Sequence, residues 1–595
     1  MVIHTFRRFV CALALFAIAH TALSQATVEE AMDGILTRFY ANMSLDELYA
    51  LDAVKVKSLL TPEELAVLAT KHWYFDVDVP VVVSVLRNVD QQVAPYWLEE
   101  GGFAKTDMTV TNEEDWKYEV WQKEFPAGRV ELGINGFDNF RPHYLVCVAA
   151  KDPAAKATIS GLHPDRFSIE EMKEGAKCYH DWTELTIKTL PDALRGQQLL
   201  TTIRGRGREA CLVGAFRKTA YPSAERPQPV FLTWSEDPKT TQNVQWRTST
   251  AVNDGGIRYR VKGSGAAFAT APATIKKMQD RMLANDRYCH WYTAVLRELA
   301  PGTTYEYQAG SPMMDLWSEP LEFTTAPAAP EPFSFFFLTD VHNRPEYGEL
   351  LKKTFAAHPE AAFSVISGDL VGTGLERDNW DAMLSLGEPM FKLRPVMPSI
   401  GNHDAQYGLG PGMYLDIFGL PENGPPNPEL ERAYSFVYGD VEFFVLDVMS
   451  DSAPQGEWLR GALAKSTAKW KVAMFHFPFY TRRTDEYAEL QKDWGTLFDE
   501  FHVDLVLQGH THIYIRTKPM KAAKVVQSTA EGTVYLQSIS IPADHSERLR
   551  QMPDFVDKYL PKGSLCCLFR AEGNTLSYKA INLDGEVMDE YSISK

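Results

Sequence analysis

The C-terminal half of the chain contains five short, largely apolar runs, and each is followed by residue types that bind metals. The runs are Phe333 to Thr339, Ala362 to Ser367, Val396 to Ile400, Lys471 to Phe475 and Val503 to Gln508. Continuous apolar runs are typical of strands buried on both faces, and amphipathic segments such as Tyr347 to Ala357 lie between them. The pattern predicts an α/β domain with mixed sheets over residues 333–595.

The residues that follow the five runs share the chemistry of metal ligands. They are Asp340 and His342, Asp369, Asn402 with His403 and Asp404, His476, and His510 with His512. One such motif alone is usually a surface turn or a hydrogen-bonded histidine. Because open α/β sheets bind ligands at the carboxyl ends of their strands, we expect the five motifs to converge on one site.

In this order the motifs resemble those of the calcineurin-like metallophosphoesterases, and more closely those of the purple acid phosphatase branch. Supporting segments are Tyr434 to Gly439, Gln455 to Leu459, His476 to Tyr480 and Gly509 to Arg516. The resemblance covers about residues 228–595. It implies a phosphoric ester hydrolase, with a metallophosphoesterase domain at 333–595 that is a four-layer α/β/β/α sandwich.

The resemblance also implies a role for each motif residue. The implied metal ligands are Asp340, His342 and His512 for one ion, Asn402, His476 and His510 for a second, and Asp369 as the bridge between both. His403 would contact phosphate or act as general acid, with Asp404 orienting it. Two cations would activate a bridging hydroxide and neutralise the phosphate, so we expect hydrolysis of phosphomonoesters. The mixed nitrogen and oxygen set suits two divalent or trivalent ions such as Fe, Zn or Mn.

One position departs from the purple acid phosphatases. Those enzymes have a tyrosine three residues after the bridging aspartate, where this chain has Gly372. They also have Asp-x-Gly where this chain has Asp340-Val341-His342, and His342 would replace the missing tyrosine as a ligand. Without a phenolate ligand, iron gives no intense violet colour, and the metal identity and an acidic pH optimum stay open.

Residues 226–327 carry the pattern of a β-sandwich. Short β-rich runs recur between Val230 and Thr325, and Tyr305 follows Ala300-Pro301-Gly302 at a position that can close a tyrosine corner. The pattern resembles a fibronectin type III domain, and the purple acid phosphatase branch places such a domain before its catalytic domain. Ala326 to Pro332 is rich in proline and predicts a stiff linker.

The residues before 226 divide into three parts. Residues 1–24 are typical of a signal peptide, with Arg7 and Arg8 before an apolar run and small residues near its end. Apolar residues at helical spacing predict a helical segment at 25–72, and short β-rich runs predict a β-rich module of unknown role at 73–225. The basic run Arg204 to Arg208 is interpreted as a solvated hairpin turn.

The cysteines are too few for a disulfide framework. Apart from Cys11 in the signal segment they are Cys147, Cys178, Cys211, Cys289, Cys566 and Cys567. We expect buried thiols, with at most one or two bridges. The neighbouring histidines His180 and His290 invite a zinc hypothesis, but the paired spacing of a zinc site is absent.

Net charge and apolar content exclude some classes of binding partner. The formal net charge of −18 repels phosphate backbones, so no nucleic-acid polymer is expected and the substrate is a small phosphoester. No run after the signal segment reaches the roughly 20 apolar residues of a membrane span, so we expect a secreted or periplasmic protein without a membrane partner. Two alternatives remain: a phosphodiesterase or nucleotide pyrophosphatase on the same core, and a non-catalytic binding protein.

Overall fold

The computed structural model describes residues 26–406, 408–426, 429–481, 487–544 and 553–595, without the side chains of 183 and 184. The predicted signal peptide, residues 1–24, lies outside the described residues. The chain divides into two compact units. The first contains the described residues up to Phe216 together with 408–409, and the second contains Arg217–Gln406 and Gly410–Lys595.

The first unit begins with helices, as the spacing of its apolar residues predicts. Thr27, Ser44 and Thr61 each form a capping box with the glutamate three residues further on. Arg38 donates to both carboxylate oxygens of Glu64 at 2.6 and 2.8 Å and joins the ends of this helical run. The helices are α1 (Val28–Asn42), α2 (Leu45–Tyr49), α3 (Ala53–Leu59), α4 (Pro62–Thr70) and α5 (Tyr96–Glu100).

The rest of the first unit is mainly antiparallel β structure. Its strands are β1 (Trp73–Val77), β2 (Val81–Asn88), β3 (Ala104–Asn112), β4 (Lys117–Phe125), β5 (Gly128–Leu132), β6 (Leu145–Ala150), β7 (Ile159–His163), β8 (Phe167–Glu171), β9 (Lys177–Tyr179), β10 (Trp182–Thr189) and β11 (Gln198–Thr202). They form sheets of order β5-β1-β7 and β8-β11-β6-β2-β4-β3-β10-β9. Trp73 and Phe75 of β1 share a buried core with Val83 and Val85 of β2, so the two sheets pack on each other.

The hairpin interpretation of Arg204 to Arg208 is wrong. These residues form a short 3₁₀ helix in which Arg206 is buried. The Arg206 guanidinium donates to Glu209 Oε1 at 3.0 Å and also to the carbonyl of His72. A buried guanidinium is stable only when it is paired and hydrogen bonded, and these contacts explain why the run is not solvated.

The second unit begins with two antiparallel sheets that share one core. Their strands are β12 (Val230–Thr233), β13 (Gln242–Ser249), β14 (Gly256–Val261), β15 (Ala269–Pro272), β16 (Thr274–Gln279), β17 (Tyr288–Leu296), β18 (Thr304–Ser311), β19 (Leu316–Trp317) and β20 (Leu321–Thr324). The sheet orders are β12-β13-β17-β16 and β15-β14-β18-β19, with β20 on β18. Trp246 and Tyr292 stack in the core at 5.0 Å. The Tyr305 hydroxyl accepts from the Ala300 backbone N–H at 2.8 Å, so the predicted tyrosine corner is confirmed.

The remainder of the second unit alternates strands and helices, as predicted. Its helices are α6 (Pro345–Ala357), α7 (Arg377–Phe391), α8 (Gly412–Ile417), α9 (Ser452–Lys465), α10 (Ala488–Leu490) and α11 (Thr496–Phe501), with a π-helical segment at Gln491–Gly495. Its strands are β21 (Phe333–Leu338), β22 (Ala361–Ser367), β23 (Val396–Ser399), β24 (Tyr434–Tyr438), β25 (Val441–Val445), β26 (Trp470–Met474), β27 (Leu505–Gln508), β28 (Tyr514–Thr517), β29 (Met520–Lys521), β30 (Lys524–Val525), β31 (Val534–Gln537), β32 (Ala543–Asp544), β33 (Val556–Leu560), β34 (Lys562–Gly563), β35 (Leu565–Glu572), β36 (Thr575–Asn582) and β37 (Val587–Ser594).

These strands form two mixed sheets that pack face to face. Their orders are β23-β22-β21-β35-β36-β37 and β24-β25-β26-β27-β31-β28-β33. Phe335 of the first sheet contacts Phe443 of the second, with ring centroids 5.2 Å apart. Phe498 of α11 packs on Phe475, which follows β26, at 6.1 Å. The mixed sheets predicted from the sequence are therefore confirmed.

All cysteines among the described residues are buried free thiols, as expected. Cys566 contacts Thr354 of α6, whereas Cys567 contacts Ser538, so the two neighbours face opposite sides of β35. Within the described ranges no cysteine belongs to a group of candidate metal ligands. None of the described helices has the length and apolar character needed to cross a bilayer.

Candidate metal centre

The candidate site lies where the predicted strands end. β21, β22 and β23 are parallel neighbours in one sheet, and β26 and β27 are parallel neighbours in the other. The first ligand-type residue after each strand is Asp340 after β21, Asp369 after β22, Asn402 after β23, His476 after β26 and His510 after β27. Parallel strands end at the same edge of a sheet, and the five motifs converge there.

Two groups of ligand-type atoms form at this edge and share one carboxylate. The groups, each with ligand atoms within 4.8 Å of one another, are Asp340, His342, Asp369 and His512, and Asp369, His476 and His510. Asn402 lies beside the second group, with its Oδ1 2.9 Å from His510 Nδ1. The geometry thus brings all seven sequence-predicted ligands together, and Asp369 alone belongs to both groups.

The ring nitrogens of this cluster fit metal ions. His476 Nδ1 donates to the Ser367 carbonyl at 2.7 Å, which leaves Nε2 without a proton when the ring is neutral. That Nε2 is buried, has no hydrogen-bond partner among the residues that the structure describes, and lies 3.2 Å from Asp369 Oδ2. An imidazole whose other nitrogen is fixed by a carbonyl is the usual arrangement of a metal-bound histidine. His342 Nε2 and His512 Nε2 face each other at 3.0 Å.

The buried carboxylates and imidazoles shift one another's ionisation. Burial opposes the charge on Asp369, but the imidazoles of His476 and His403 outweigh it and hold its pKa well below the ordinary value. Burial also opposes the charge on His476, yet Asp369 and Asp340 outweigh it and raise the pKa of His476 to about 9. By contrast, burial dominates at His342 and lowers its pKa to about 4.

The backbone at the candidate ligands is strained. Asp340, His342, Asp369, His510 and His512 all have φ between 45° and 73°, a left-handed region that is uncommon for any residue other than glycine. Such strain costs about 1–3 kcal/mol per residue and clusters at functional sites. Gly401 is required for packing, because a Cβ there would collide with the backbone nitrogen of Asp369.

The predicted general acid, His403, and the residue expected to orient it, Asp404, have different surroundings. His403 reaches the ligand cluster through its backbone, which donates to Asp369 Oδ1 at 2.9 Å. Its ring stands edge-on to His342 at 4.8 Å, and its Nδ1 lies 2.8 Å from the Gly372 carbonyl. Asp404 accepts instead from the backbone N–H groups of Gly401 and Val371 at 2.9 and 3.1 Å. The orienting contact expected from Asp404 is therefore made by Gly372, and Asp404 holds the loops.

Sequence reasoning missed the residues that hold these loops. Asn343 has φ of 47°, and its Oδ1 accepts from the Gly372 N–H at 2.8 Å. Thr339 donates from Oγ1 to Asp340 Oδ2 at 2.7 Å. Asn343 directly follows a ligand motif, and asparagine tolerates the left-handed region better than most residues, so its type and position were the available signal.

Two family models match the second unit. Residues 333–514 match the model described as calcineurin-like phosphoesterase. The second unit therefore contains a calcineurin-like phosphoesterase domain. Residues 227–325, which precede it, match the model described as purple acid phosphatase, N-terminal domain. The candidate ligand cluster lies within the segment that matches the calcineurin-like phosphoesterase model.

Curated relatives match part of the chain. An uncharacterized protein of Mycobacterium tuberculosis (strain H37Rv) is 27% identical over 337 residues, which are 49% of this chain and 62% of that protein. Probable purple acid phosphatase 20 of Arabidopsis thaliana is 29% identical over 242 residues, 37% of this chain and 54% of that protein. The chain thus spans less than two thirds of the length of these relatives.

A solved structure has the same fold. Purple acid phosphatase PPD1 from yellow lupin (Lupinus luteus) seeds aligns with a TM-score of 0.55 and 14% identity, over 80% of this chain and 82% of that one. The calcineurin-like phosphoesterase domain and the β module before it therefore adopt a purple acid phosphatase-like fold.

Proposed function

We propose that this protein is a dinuclear metal-dependent phosphatase that hydrolyses phosphomonoesters outside the cytoplasm. The observation that carries the proposal is the buried carboxylate of Asp369, which belongs to both groups of ligand-type atoms. A carboxylate has two oxygens, and one shared carboxylate supports two neighbouring cations. Export rests on the sequence of residues 1–24 alone.

The proposed ligands are drawn from both groups, together with the neighbouring amide. They are Asp340, His342 and His512 for one ion, Asn402, His476 and His510 for the other, and Asp369 for both. Bound cations would neutralise phosphate charge and lower the pKa of water at the site. Fe, Zn and Mn all suit this donor set.

His403 is the proposed general acid. The Gly372 carbonyl can only accept, so His403 Nδ1 carries a hydrogen and Nε2 is the nitrogen that exchanges protons. In the protonated ring, Nε2–H donates first to a phosphate oxygen and then to the leaving alkoxide. Asp404 supports this role indirectly, because it fixes Gly401 and Val371 on either side of the site.

Two structural proposals accompany the functional one. We propose domains at residues 25–72, 73–225, 226–327 and 333–595, and a fibronectin type III-like fold for residues 226–327. The tyrosine corner at Tyr305 supports the latter.

The test is a panel of phosphoesters assayed across pH, with elemental analysis of the same preparation. We expect an aryl phosphate to be cleaved with added Mn, Zn or Fe, and monoesters to be cleaved faster than diesters. Faster cleavage of diesters or nucleotide pyrophosphates would favour that alternative enzyme. Metal-loaded protein that cleaves none of them would favour a non-catalytic binding protein.

A further inference from the structure

A short turn controls the direction of the His403 ring. Gly372 accepts from His403 Nδ1 at 2.8 Å, and two residues later the Gly374 N–H donates to the His403 carbonyl at 2.8 Å. The turn therefore forms hydrogen bonds with both the side chain and the backbone of His403. Gly374 cannot be replaced without displacement, because a Cβ there would collide with the Asp404 carbonyl.

A buried tryptophan forms a hydrogen bond to the Gly372–Gly374 turn. Trp380 Nε1 donates to the Gly374 carbonyl at 2.9 Å, and the side chain is fully buried. Its ring packs against Tyr414 and Phe418, with centroids 6.3 and 6.1 Å away. A ring fixed on several sides has little rotamer freedom, so its N–H holds the carbonyl in one place.

Trp380 lies in the first turn of α7, and the β-sandwich anchors that end of the helix. The N–H of Arg377 donates to Asp280 Oδ2 at 3.0 Å, and the Arg377 side chain donates to Asp286 at 2.7 Å. Asp280 also accepts from Arg217 at 2.7 Å. The helix has no side-chain cap of its own, so these sandwich residues supply the acceptors at its start.

We propose that Trp380 is a positioning residue for the general acid, acting through the Gly372–Gly374 turn, and that the β-sandwich fixes its helix. The inference rests on the proposed function of His403. Loss of the Nε1 hydrogen bond frees the Gly374 carbonyl and lets the Gly372 carbonyl turn away from His403. The ring then samples orientations in which Nε2–H does not reach the leaving oxygen.

The test compares Trp380→Phe with Trp470→Phe in the full, zinc-loaded chain. Both tryptophans are fully buried, but Trp470 Nε1 has no hydrogen-bond partner among the described residues, so only the first change removes a hydrogen bond. For Trp380→Phe we expect kcat on an alkyl phosphate to fall about tenfold, with less than a twofold change on nitrophenyl phosphate. KM and metal content should stay the same, and Trp470→Phe should show no difference between the substrates.

A double variant separates positioning from general destabilisation. If Trp380 acts through His403, Trp380→Phe has no further effect on kcat in a His403→Ala background. An equal loss on both substrates, or a further loss in that background, would overturn the proposal.

A crystal structure of Trp380→Phe gives a readout that does not need activity. We expect the distance from Gly372 O to His403 Nδ1 to exceed 3.5 Å, and an unchanged contact would overturn the proposal. If the wild type cleaves no phosphoester, the proposed function fails, and this distance still decides whether Trp380 positions His403.

Discussion

Two pairs of close histidines, one in each unit, have nearly the same distance between their Nε2 atoms. In the first unit His72 Nε2 lies 2.8 Å from His143 Nε2. In the second unit His342 Nε2 lies 3.0 Å from His512 Nε2. The pairs differ in the carboxylates around them, and this difference shows that two close imidazoles do not by themselves define a metal site.

In the second unit the carboxylates have imidazoles as their charged neighbours. Asp340 Oδ1 lies 3.3 Å from His512 Nε2, and Asp369 Oδ2 lies 3.7 Å from His342 Nε2. The groups that lower the pKa values of both buried carboxylates are imidazoles, which can also bind metal ions, so bound cations can take over the neutralisation of these anions.

In the first unit the carboxylate is already neutralised. Glu209 Oε2 lies 3.1 Å from His72 Nδ1, but Arg206 Nε donates to Glu209 at 3.0 Å. Burial, and then the charge of Arg206, lower the pKa of His72 to about 4. No group of three ligand-type residues forms around His72 and His143 in the part of the chain that the structure describes. We therefore expect a structural pair here and a metal centre in the second unit.

The largest effect should come from Asp369→Asn. This change removes a charge that both ligand groups share, so we expect turnover to fall about 10³-fold or more as several kcal/mol of transition-state stabilisation are lost. Metal content should fall as well, since the remaining cations repel each other. Elemental analysis of the variant checks this, and a content equal to that of the wild type would contradict the shared role.

The His403→Ala variant should keep its metal content but lack the proposed general acid. We expect kcat on alkyl phosphates to fall about 10²–10⁴-fold, with a smaller loss on nitrophenyl phosphate, whose leaving group needs no proton. Steady-state assays on both substrates measure the difference between the two losses of kcat. Loss of one metal equivalent would show instead that His403 is a ligand.

His72→Leu should change stability and leave the metals unchanged. The variant removes the hydrogen bonds to His143 and Glu209 from a buried site, so we expect the free energy of unfolding to fall by about 3 kcal/mol. Chemical denaturation measures the loss, with His358→Gln at a partly exposed histidine as the control. A lower metal content in His72→Leu would remove the distinction between the two pairs.

Glu431 tests the effect of burial on a carboxylate in the second unit that is not in the ligand cluster. Burial raises its pKa to about 7, whereas the imidazoles lower the pKa of Asp369. Because the pKa of Glu431 is higher in the folded than in the unfolded protein, protonated Glu431 stabilises the fold fully at a pH below the unfolded-state pKa. This stabilisation is lost as the pH rises through the folded-state pKa of about 7. The wild type should therefore lose about 2 kcal/mol more than Glu431→Gln between pH 5 and 8. Denaturation curves at both pH values check this, and parallel losses would refute the assignment.

The sequence carried enough information to predict that the ligand-type residues cluster, because the signal of each motif is local. Asp340 and His476 each follow an apolar strand, and strand direction alone brings their loops to one edge. The contact of His403 could not be predicted from the sequence, because it is made by the Gly372 backbone carbonyl and depends on how that loop folds onto His403. In the first unit, the burial of Arg206 was not predicted because one of its acceptors, the His72 carbonyl, comes from a distant segment.

If the ligand cluster around Asp369 holds two metal ions, the metal content per chain of the purified wild type is the most direct measurement, taken by elemental analysis after dialysis against metal-free buffer. We predict close to two equivalents of Fe, Zn or Mn per chain, with the same content in His72→Leu. One equivalent or less in the wild type would contradict it.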